Sequence, residues 1–454
     1  MGKQLSKNTG SSLKLQSTRR WIKRFSDLLP LSTLLLISSI FFFPKLGLTP
    51  LKSWDEAWYA EISRNILKTG NWFLLKWNGL PYFDHPPFGF WLMALSFRFF
   101  RVSEFAARLP SAITGIFSVL LIYSIAKELF NEFVGLNAGL ILTTMPWFWL
   151  RSREGNLDII LTFLMLLSLW LGLKLQKNEK LLPFLAITFG FTLLTKSVIG
   201  LGLLPTILYI VLTSKSKFTK ACLLFTASGL LLTLLPWYLT NYQVYGPQFI
   251  DRNIFVTGLK IAGYGAIFSQ VGKTTLNLNN SFQQIHNGIL LWYKPFLISL
   301  LGLIFLKKKS FQILFLWLGV YLLLFSTSSK VELWHFIILY PAISLLISAF
   351  MQTFLKTIFD FGNKFLKLKY FTNQSVLLVS FVITFIFITW NGNRIVKGLY
   401  KDIVKNQPTN DEVVLATMAG KYQEVTYIDD DYWPTAVFYA KKNIIHIVHA
   451  NQYS

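Results

Sequence analysis

The chain has 454 residues, of which 53% are hydrophobic and only 14% charged, with 15 Trp and 42 Phe. Its apolar runs repeatedly reach the roughly 20 residues that cross a bilayer, which excludes an ordinary soluble globule and predicts an all-α polytopic membrane protein. One Cys excludes a disulfide framework and a cysteine-based metal site; the net charge of +23 is spread over short Lys/Arg clusters between apolar runs, as membrane topology requires and unlike a nucleic-acid partner.

The basic leader KQLSKNTGSSLKLQSTRRWIKRF precedes an apolar segment at 31–48, which predicts a cytoplasmic N-terminus and a first helix crossing outward. No small-x-small cleavage site follows that segment, so an uncleaved anchor is expected and not a signal peptide. Further spans are predicted at 107–126, 133–150, 157–173, 182–195, 198–213, 221–240, 288–306, 311–327, 333–352 and 375–391, making about eleven. The stretch 181–213 is too long for one helix and short for two. The lysine-bearing loops on either side, KLQKNEK and SKSKFTK, both belong inside, which requires two crossings with Lys196 at the outer turn. On the same reasoning 307–309 and 356–369 are cytoplasmic, while loops 51–106 and 241–286 and the tail after 392 are external. The chain thus divides into a membrane domain over residues 1–392 and a small external α/β domain over 393–454. In the latter, EVVLATM and NIIHIV read as strands and PTAVFYAKK as a helix.

In loop 51–106, Ser53-Trp54-Asp55-Glu56 forms a capping-box pattern, and Trp54, Trp58, Ile62 and Ile66 follow at helical spacing until Gly70. Such a helix suits the membrane interface. Asp55 and Glu56 have an ordinary explanation, complementing the helix dipole for about 0.3–1 kcal/mol. The stretch PYFDHPPFGFW makes a stiffer corner: Pro86 biases His85 to an extended backbone, and Pro87 starts a second interfacial helix with Phe88, Trp91, Leu92, Leu95 and Phe99 on one face. Asp84 and His85 are held at that corner, where a solvated turn is the plain alternative.

More polar residues fall at the outer ends of predicted spans: Arg151, Arg153, Glu154 and Asp158 in LRSREGNLD, Lys196, His286, Lys330 and His335. Singly, a lysine at a helix end usually snorkels. Together on one side of the membrane, acids, imidazoles and cations mark a substrate or ion pathway.

The succession DEAWYAEISRNILKTGNW, NGLPYFDHPPFGFWLMALSFRFF and EFAARLPSAITGIFSVLLIYSIAKELF resembles the polyprenyl-phosphate-sugar glycosyltransferases, which include the bacterial aminoarabinose transferases and protein O-mannosyltransferase relatives. The resemblance is strong over 54–200 and weaker through PWYLTNYQVYG, IHNGILLWYKP and SSKVELWHFIILYP. It implies the GT-C fold, two interfacial helices in the first external loop and a sugar donor on a polyprenyl phosphate. It places Asp55 at the position of the catalytic or acceptor-orienting carboxylate, with Glu56 beside it. His85 takes the place of a phosphate-contacting Lys, and Asp158 and Lys196 match further polar positions of the cavity; with Lys330 they are the candidate donor- and phosphate-binding residues. Asp84 falls at an acidic position associated with a divalent metal, His286 matches a His of a later family motif, and the two are the candidate metal ligands. The sequence departs from the aminoarabinose enzymes in carrying Trp58 for an Arg and Asp84-His85 for Glu-Lys, which points away from their particular donor or acceptor.

These residues permit one chemistry. A metal on Asp84 and His286, with cations nearby, neutralises the departing lipid phosphate, while Asp55 orients or deprotonates an acceptor on a lipid, glycan or protein and displacement proceeds with inversion. A phosphate acceptor needs no strong base. The alternative is a lipid or polyanion transporter or flippase, whose site belongs near mid-bilayer and not in an external loop. The expected location is the bacterial inner or plasma membrane.

Overall fold

A computed structural model of the chain describes residues 28–52, 54–214, 218–254, 276–305, 307–327, 331–366, 372–400, 411–422, 426–427 and 433–446. The basic leader, Ser53 and Lys330 lie outside the described residues.

Helix α1 is Leu28–Phe42. The next loop carries α2 (Asp55–Thr69), an antiparallel hairpin of β1 (Lys76–Trp77) and β2 (Leu80–Pro81), and α3 (Phe88–Phe100). Gly70 ends α2 in the left-handed region at φ 69°, where a side chain would be strained. Then come α4 (Glu104–Leu129), α5 (Glu132–Thr143), α6 (Pro146–Ser152), α7 (Asp158–Lys174), α8 (Leu182–Leu193), α9 (Ser197–Leu201) and α10 (Leu204–Leu212). Ser103 and Asn131 cap α4 and α5, each side chain accepting from a backbone N–H of the first turn. The remaining long helices are α11 (Lys220–Tyr245), followed by the short α12 (Pro247–Ile250), then α13 (Leu278–Ile289), α14 (Tyr293–Ser299), α15 (Lys309–Ser326), α16 (Tyr340–Leu366) and α17 (Asn373–Tyr400). A C-terminal segment adds α18 (Asp411–Ala419), β3 (Thr426–Tyr427), α19 (Trp433–Ala440) and β4 (Ile445–His446), with β3 and β4 paired in parallel.

Among the described residues six helices are long and apolar enough to cross a membrane, or seven if α5 and α6, bent 71° apart, form one broken span. This is a multi-pass membrane protein. Its outward surface agrees: on α11, Leu223, Leu224, Leu231, Leu232 and Leu239 are all exposed, as lipid contact requires and water disfavours. All eleven predicted stretches are helical over most of their length, but α7 has 17 residues and α8 has 12. The interruptions coincide with polar residues: Arg153-Glu154-Gly155-Asn156 separates α6 from α7, and Thr195-Lys196 separates α8 from α9.

The main core gathers around α4, α5, α7 and α16. A second cluster joins Ile62 and Ile66 of α2, Phe90 and Phe97 of α3, Leu157, and Phe438 of α19. The expected apolar stripe of α3 is the less buried one; the packed side runs through Gly89, Phe90, Met93, Ala94 and Phe97. α2 is buried on several sides, because α3 covers one flank and α19 another, so Glu56, Glu61 and Arg64 are all buried. The tail corrects one expectation. EVVLATM forms helix α18 and not a strand, because Ala416 packs with Ala436, Val437 and Ala440 of α19, and that contact outweighs the β preference of two valines.

Candidate active site

Three breaks in the helical architecture converge: the start of α2, the α6–α7 junction and the α8–α9 junction. At the first, Asp55 and Glu56 occupy the opening turn of α2 and face different partners. Glu56 is buried, and its carboxylate accepts from Arg108 Nε and Nη2 at 2.8 and 2.9 Å, from Lys52 N at 2.9 Å and from Gly155 N at 2.8 Å. Burial pushes the Glu56 carboxyl up, but the Arg108 guanidinium and the backbone donors outweigh it and bring it down to about 2. Arg108 also donates to the carbonyls of Leu46, Thr49 and Pro50, each at 2.9 Å, so the pair ties α4 to the chain entering the loop.

Asp55 points to a second arginine. Arg151 Nη2 donates to Asp55 Oδ2 at 2.6 Å and to Asp158 Oδ2 at 2.8 Å, while its Nη1 donates to Glu154 Oε2 at 3.1 Å. The Lys196 ammonium donates to Asp158 Oδ1 at 2.6 Å, and the Lys52 ammonium to Glu154 Oε1 at 2.5 Å. The cluster therefore holds three carboxylates and three cations, and Arg151, Glu154, Asp158 and Lys196 are buried. The Asp55 side chain is 29% exposed against 4% for Asp158, so Asp55 is the carboxylate a substrate can reach. Local sequence explains the assembly. Asn156, just ahead of α7, accepts from Asp158 N and Ile159 N through Oδ1, and its Nδ2 donates to the carbonyls of Arg151 and Glu154, folding the α6–α7 turn so that Arg151 and Asp158 meet.

The PYFDHPPFGFW corner is built against this cluster. Phe88 N donates to Leu194 O at 3.0 Å, just before Lys196, and Gly89 lies so close to Leu157 that an added Cβ would stand 2.2 Å from Leu157 Cδ2. His85 sits edge-on to the rings of Tyr59 and Tyr82, with centroids 6.0 and 6.5 Å away. Burial, reinforced by the positive charge of Lys196, pulls its imidazole down to about 3, so it is neutral throughout the physiological range. In the same environment burial pushes the Tyr59 and Tyr82 phenols well above their usual range. His335, ahead of α16, accepts from Glu332 N through Nδ1 at 3.0 Å, which leaves Nε2 as the N–H of the neutral ring.

Of the residues expected from sequence, Asp55, Asp158, Lys196 and His85 come together, and Glu56 stands behind them on Arg108. Lys330 falls outside the described residues. Asp84 and His286 engage different partners: Asp84 Oδ1 lies 3.6 Å from Arg252 Nε, and exposed His286 packs edge-on to Tyr293 with centroids 4.7 Å apart. Among the described residues no group of three His, Cys, Asp or Glu side chains is placed to hold a metal ion. Two arginines take roles that the sequence does not announce. Arg151 stands out there only as one polar residue among several, although Arg151, Glu154 and Asp158 lie at i, i+3 and i+7. Arg108 carries a signal too, as a charge inside an apolar span.

Residues 84–239 match the family model of the dolichyl-phosphate-mannose-protein mannosyltransferases. Over 236 residues, half of this chain, the sequence is 30% identical to undecaprenyl phosphate-alpha-4-amino-4-deoxy-L-arabinose arabinosyl transferase 1 of Pseudomonas fluorescens, of which the match spans only 41%. A protein of Aquifex aeolicus with no assigned function is 28% identical over 363 residues, covering 75% of this chain and 80% of that one. In three dimensions the chain resembles ArnT of Cupriavidus metallidurans bound to undecaprenyl phosphate, with a TM-score of 0.69 at 17% identity over 93% of this chain and 86% of that one. It also resembles the archaeal oligosaccharyltransferase AglB of Archaeoglobus fulgidus, with a TM-score of 0.59 at 13% identity over 95% and 65%. The fold is therefore the expected GT-C fold, and over part of its length the sequence is similar to polyprenyl-phosphate-sugar glycosyltransferases.

Proposed function

We propose that this protein transfers a sugar from a polyprenyl-phosphate donor to a lipid, glycan or protein acceptor, at the external face of the membrane and with inversion. The observation that carries the reading is the Arg151 guanidinium shared by partly exposed Asp55 and buried Asp158, with Lys196 on the other oxygen of Asp158. Transfer from a lipid phosphate needs positive charge at the leaving group and a fixed acidic group toward the acceptor. Lys196 supplies the charge, its ammonium keeping two N–H groups beyond the one given to Asp158. His85 and His335 add neutral N–H donors, and Lys330 stands two residues before Glu332. Asp55, bonded through Oδ2, presents Oδ1 to orient the acceptor hydroxyl or take its proton. Glu56 acts behind it, holding the start of α2 through Arg108.

The reading includes the wider plan drawn from the sequence: about eleven crossings, α2 and α3 lying in the interface of external loop 51–106, a membrane domain over residues 1–392 and an external C-terminal domain over 393–454. The family match and the likeness to transferases acting on undecaprenyl phosphate support the donor class. The test is transfer by purified protein in proteoliposomes, supplied with polyprenyl-phosphate sugars and extracted envelope acceptors, with the anomeric configuration of product compared with donor. Product of opposite configuration is expected. Retention of configuration overturns the single-displacement mechanism, and binding or movement of the donor without any transfer favours the transporter.

A further inference from the structure

A second charged cleft lies on the side of α2 away from Asp55, at its seam with the C-terminal segment. Its volume is about 620 Å³, and Arg64, Lys68 and Lys441 line it against a single carboxylate, Glu104, which already accepts from Tyr439 OH at 2.9 Å. Arg64 is ion-paired with buried Glu61 and held from behind: Nη1 donates to Phe438 O at 2.7 Å, and the guanidinium stands 4.9 Å from the centroid of the Phe438 ring, which leaves Lys68 and Lys441 as the exposed cations of the cleft. Its Nε, though buried, has no hydrogen-bond partner among the described residues. Lys68 is pulled down first by burial and then by the charge of Arg64, with Lys441 adding to it against Glu61. Like charges crowded in this way are relieved by an anion.

The wall of the cleft says what carries the anion. Leu67 and Val102 line it, and Val102 is flanked by Phe99, Phe100 and Phe105, which are 76%, 54% and 39% exposed. Glu104, also in the lining, is the first residue of a helix long and apolar enough to cross the membrane. The cleft therefore lies at the end of a candidate span, with cations in its lining and bare aromatics flanking Val102, the composition of a membrane-surface site.

We propose that this cleft binds the headgroup of an anionic glycerophospholipid, its phosphate against Arg64, Lys68 and Lys441 and its acyl chains along Phe99, Phe100 and Phe105. Because Lys441 follows α19 and Lys68 belongs to α2, an occupied site fastens the C-terminal segment to the loop that carries Asp55.

The test is affinity of the full-length protein in detergent for dioctanoyl phosphatidylglycerol, dioctanoyl phosphatidylcholine and glycerol 3-phosphate. The same series is run on the Lys68→Gln/Lys441→Gln double variant and on a Lys177→Gln/Lys180→Gln control. Lys68 and Lys441 are exposed, so the double variant keeps the fold. Phosphatidylglycerol should bind in preference to phosphatidylcholine, and its affinity should fall about 25-fold in the double variant and stay unchanged in the control, on the basis of about 1 kcal/mol per lysine at an anionic surface. Equal binding of the two lipids, or equal losses in both variants, overturns the site. Glycerol 3-phosphate binding as tightly as the lipid overturns the lipid assignment in favour of a soluble anion.

Discussion

Arg151 holds Asp55 across the boundary between loop and membrane helices, its Nη2 lying 2.6 Å from Asp55 Oδ2. That bond separates two adjacent acids which look equivalent in sequence. Asp55 is fixed but reachable, whereas Glu56 is enclosed by four donors. Replacing Asp55 by Asn keeps the size of the side chain and removes the charge and the base. Sugar transfer should drop at least about 10²-fold, the scale of a positioned proton acceptor, with membrane insertion and thermal stability near wild type. Turnover near wild type would return Asp55 to a helix-dipole role.

Arg151→Lys tests the hub. An ammonium is a point charge and cannot reach Asp55, Glu154 and Asp158 as the planar fork does. Buried Asp158 and Glu154 then lose a partner, and the expected cost is about 3–5 kcal/mol, read as a large fall in unfolding temperature in detergent. Lys52→Gln removes an exposed cation from the same Glu154 and should cost under about 1 kcal/mol. Comparable losses in the two variants would mean that the fork is not what holds the cluster.

For Glu56 the sign of the pH effect is fixed by its depressed carboxyl. Its value falls from 4.5 to about 2 on folding, so the unfolded chain binds more protons between those values. The stabilisation is present in full above about 4.5 and is lost as pH falls toward 2. Glu56→Gln should abolish that share of the acid dependence and lower stability at pH 7, while whatever protein remains folded keeps its acceptor affinity. A raised KM with normal stability would instead place Glu56 at the substrate.

These contrasts show how far the sequence could be read. The order of DEAWYAEIS, PYFDHPP, LRSREGNLD and LLTKS marked the segments that meet, because a charged residue beside an apolar span needs a reason to be there. It could not distribute the contacts. Which acid takes Arg108 and which takes Arg151 depends on the α6–α7 turn that Asn156 folds, a tertiary event without a periodic signature. Span counting was limited for a similar reason: apolar runs fix where helices lie, but the polar breaks at 153–156 and 195–196 shorten them. In the tail the β preference of EVVLATM yielded to packing of Ala416 against α19.

His85 gives a prediction in which nothing should move. Burial and Lys196 bring its imidazole to about 3, so it carries no charge between pH 5 and pH 8 and acts only as a neutral donor. The profile of kcat/KM over that range should have the same shape in His85→Gln as in wild type, with a modest loss of rate, and a much larger loss in His85→Phe. Disappearance of an acidic limb in His85→Gln would show that the imidazole titrates during turnover.

Glu61 should make docking of the C-terminal segment sensitive to pH in the opposite sense from Glu56. It is buried beneath α19 next to Arg64, which donates to Phe438 O. Burial raises its carboxyl from 4.5 to about 7, against the pull of Arg64 and Lys68. In the docked state Glu61 therefore binds a proton that the undocked state releases between those values. Docking is strongest below about 4.5 and weakens as pH rises to 7, by an amount on the order of 3 kcal/mol at most. Hydrogen exchange of Trp433–Ala440, corrected for the intrinsic rate, should accelerate from pH 5 to pH 7.5 in wild type and show no such trend in Glu61→Gln. An unchanged trend in the variant would move the proton to another group at this seam.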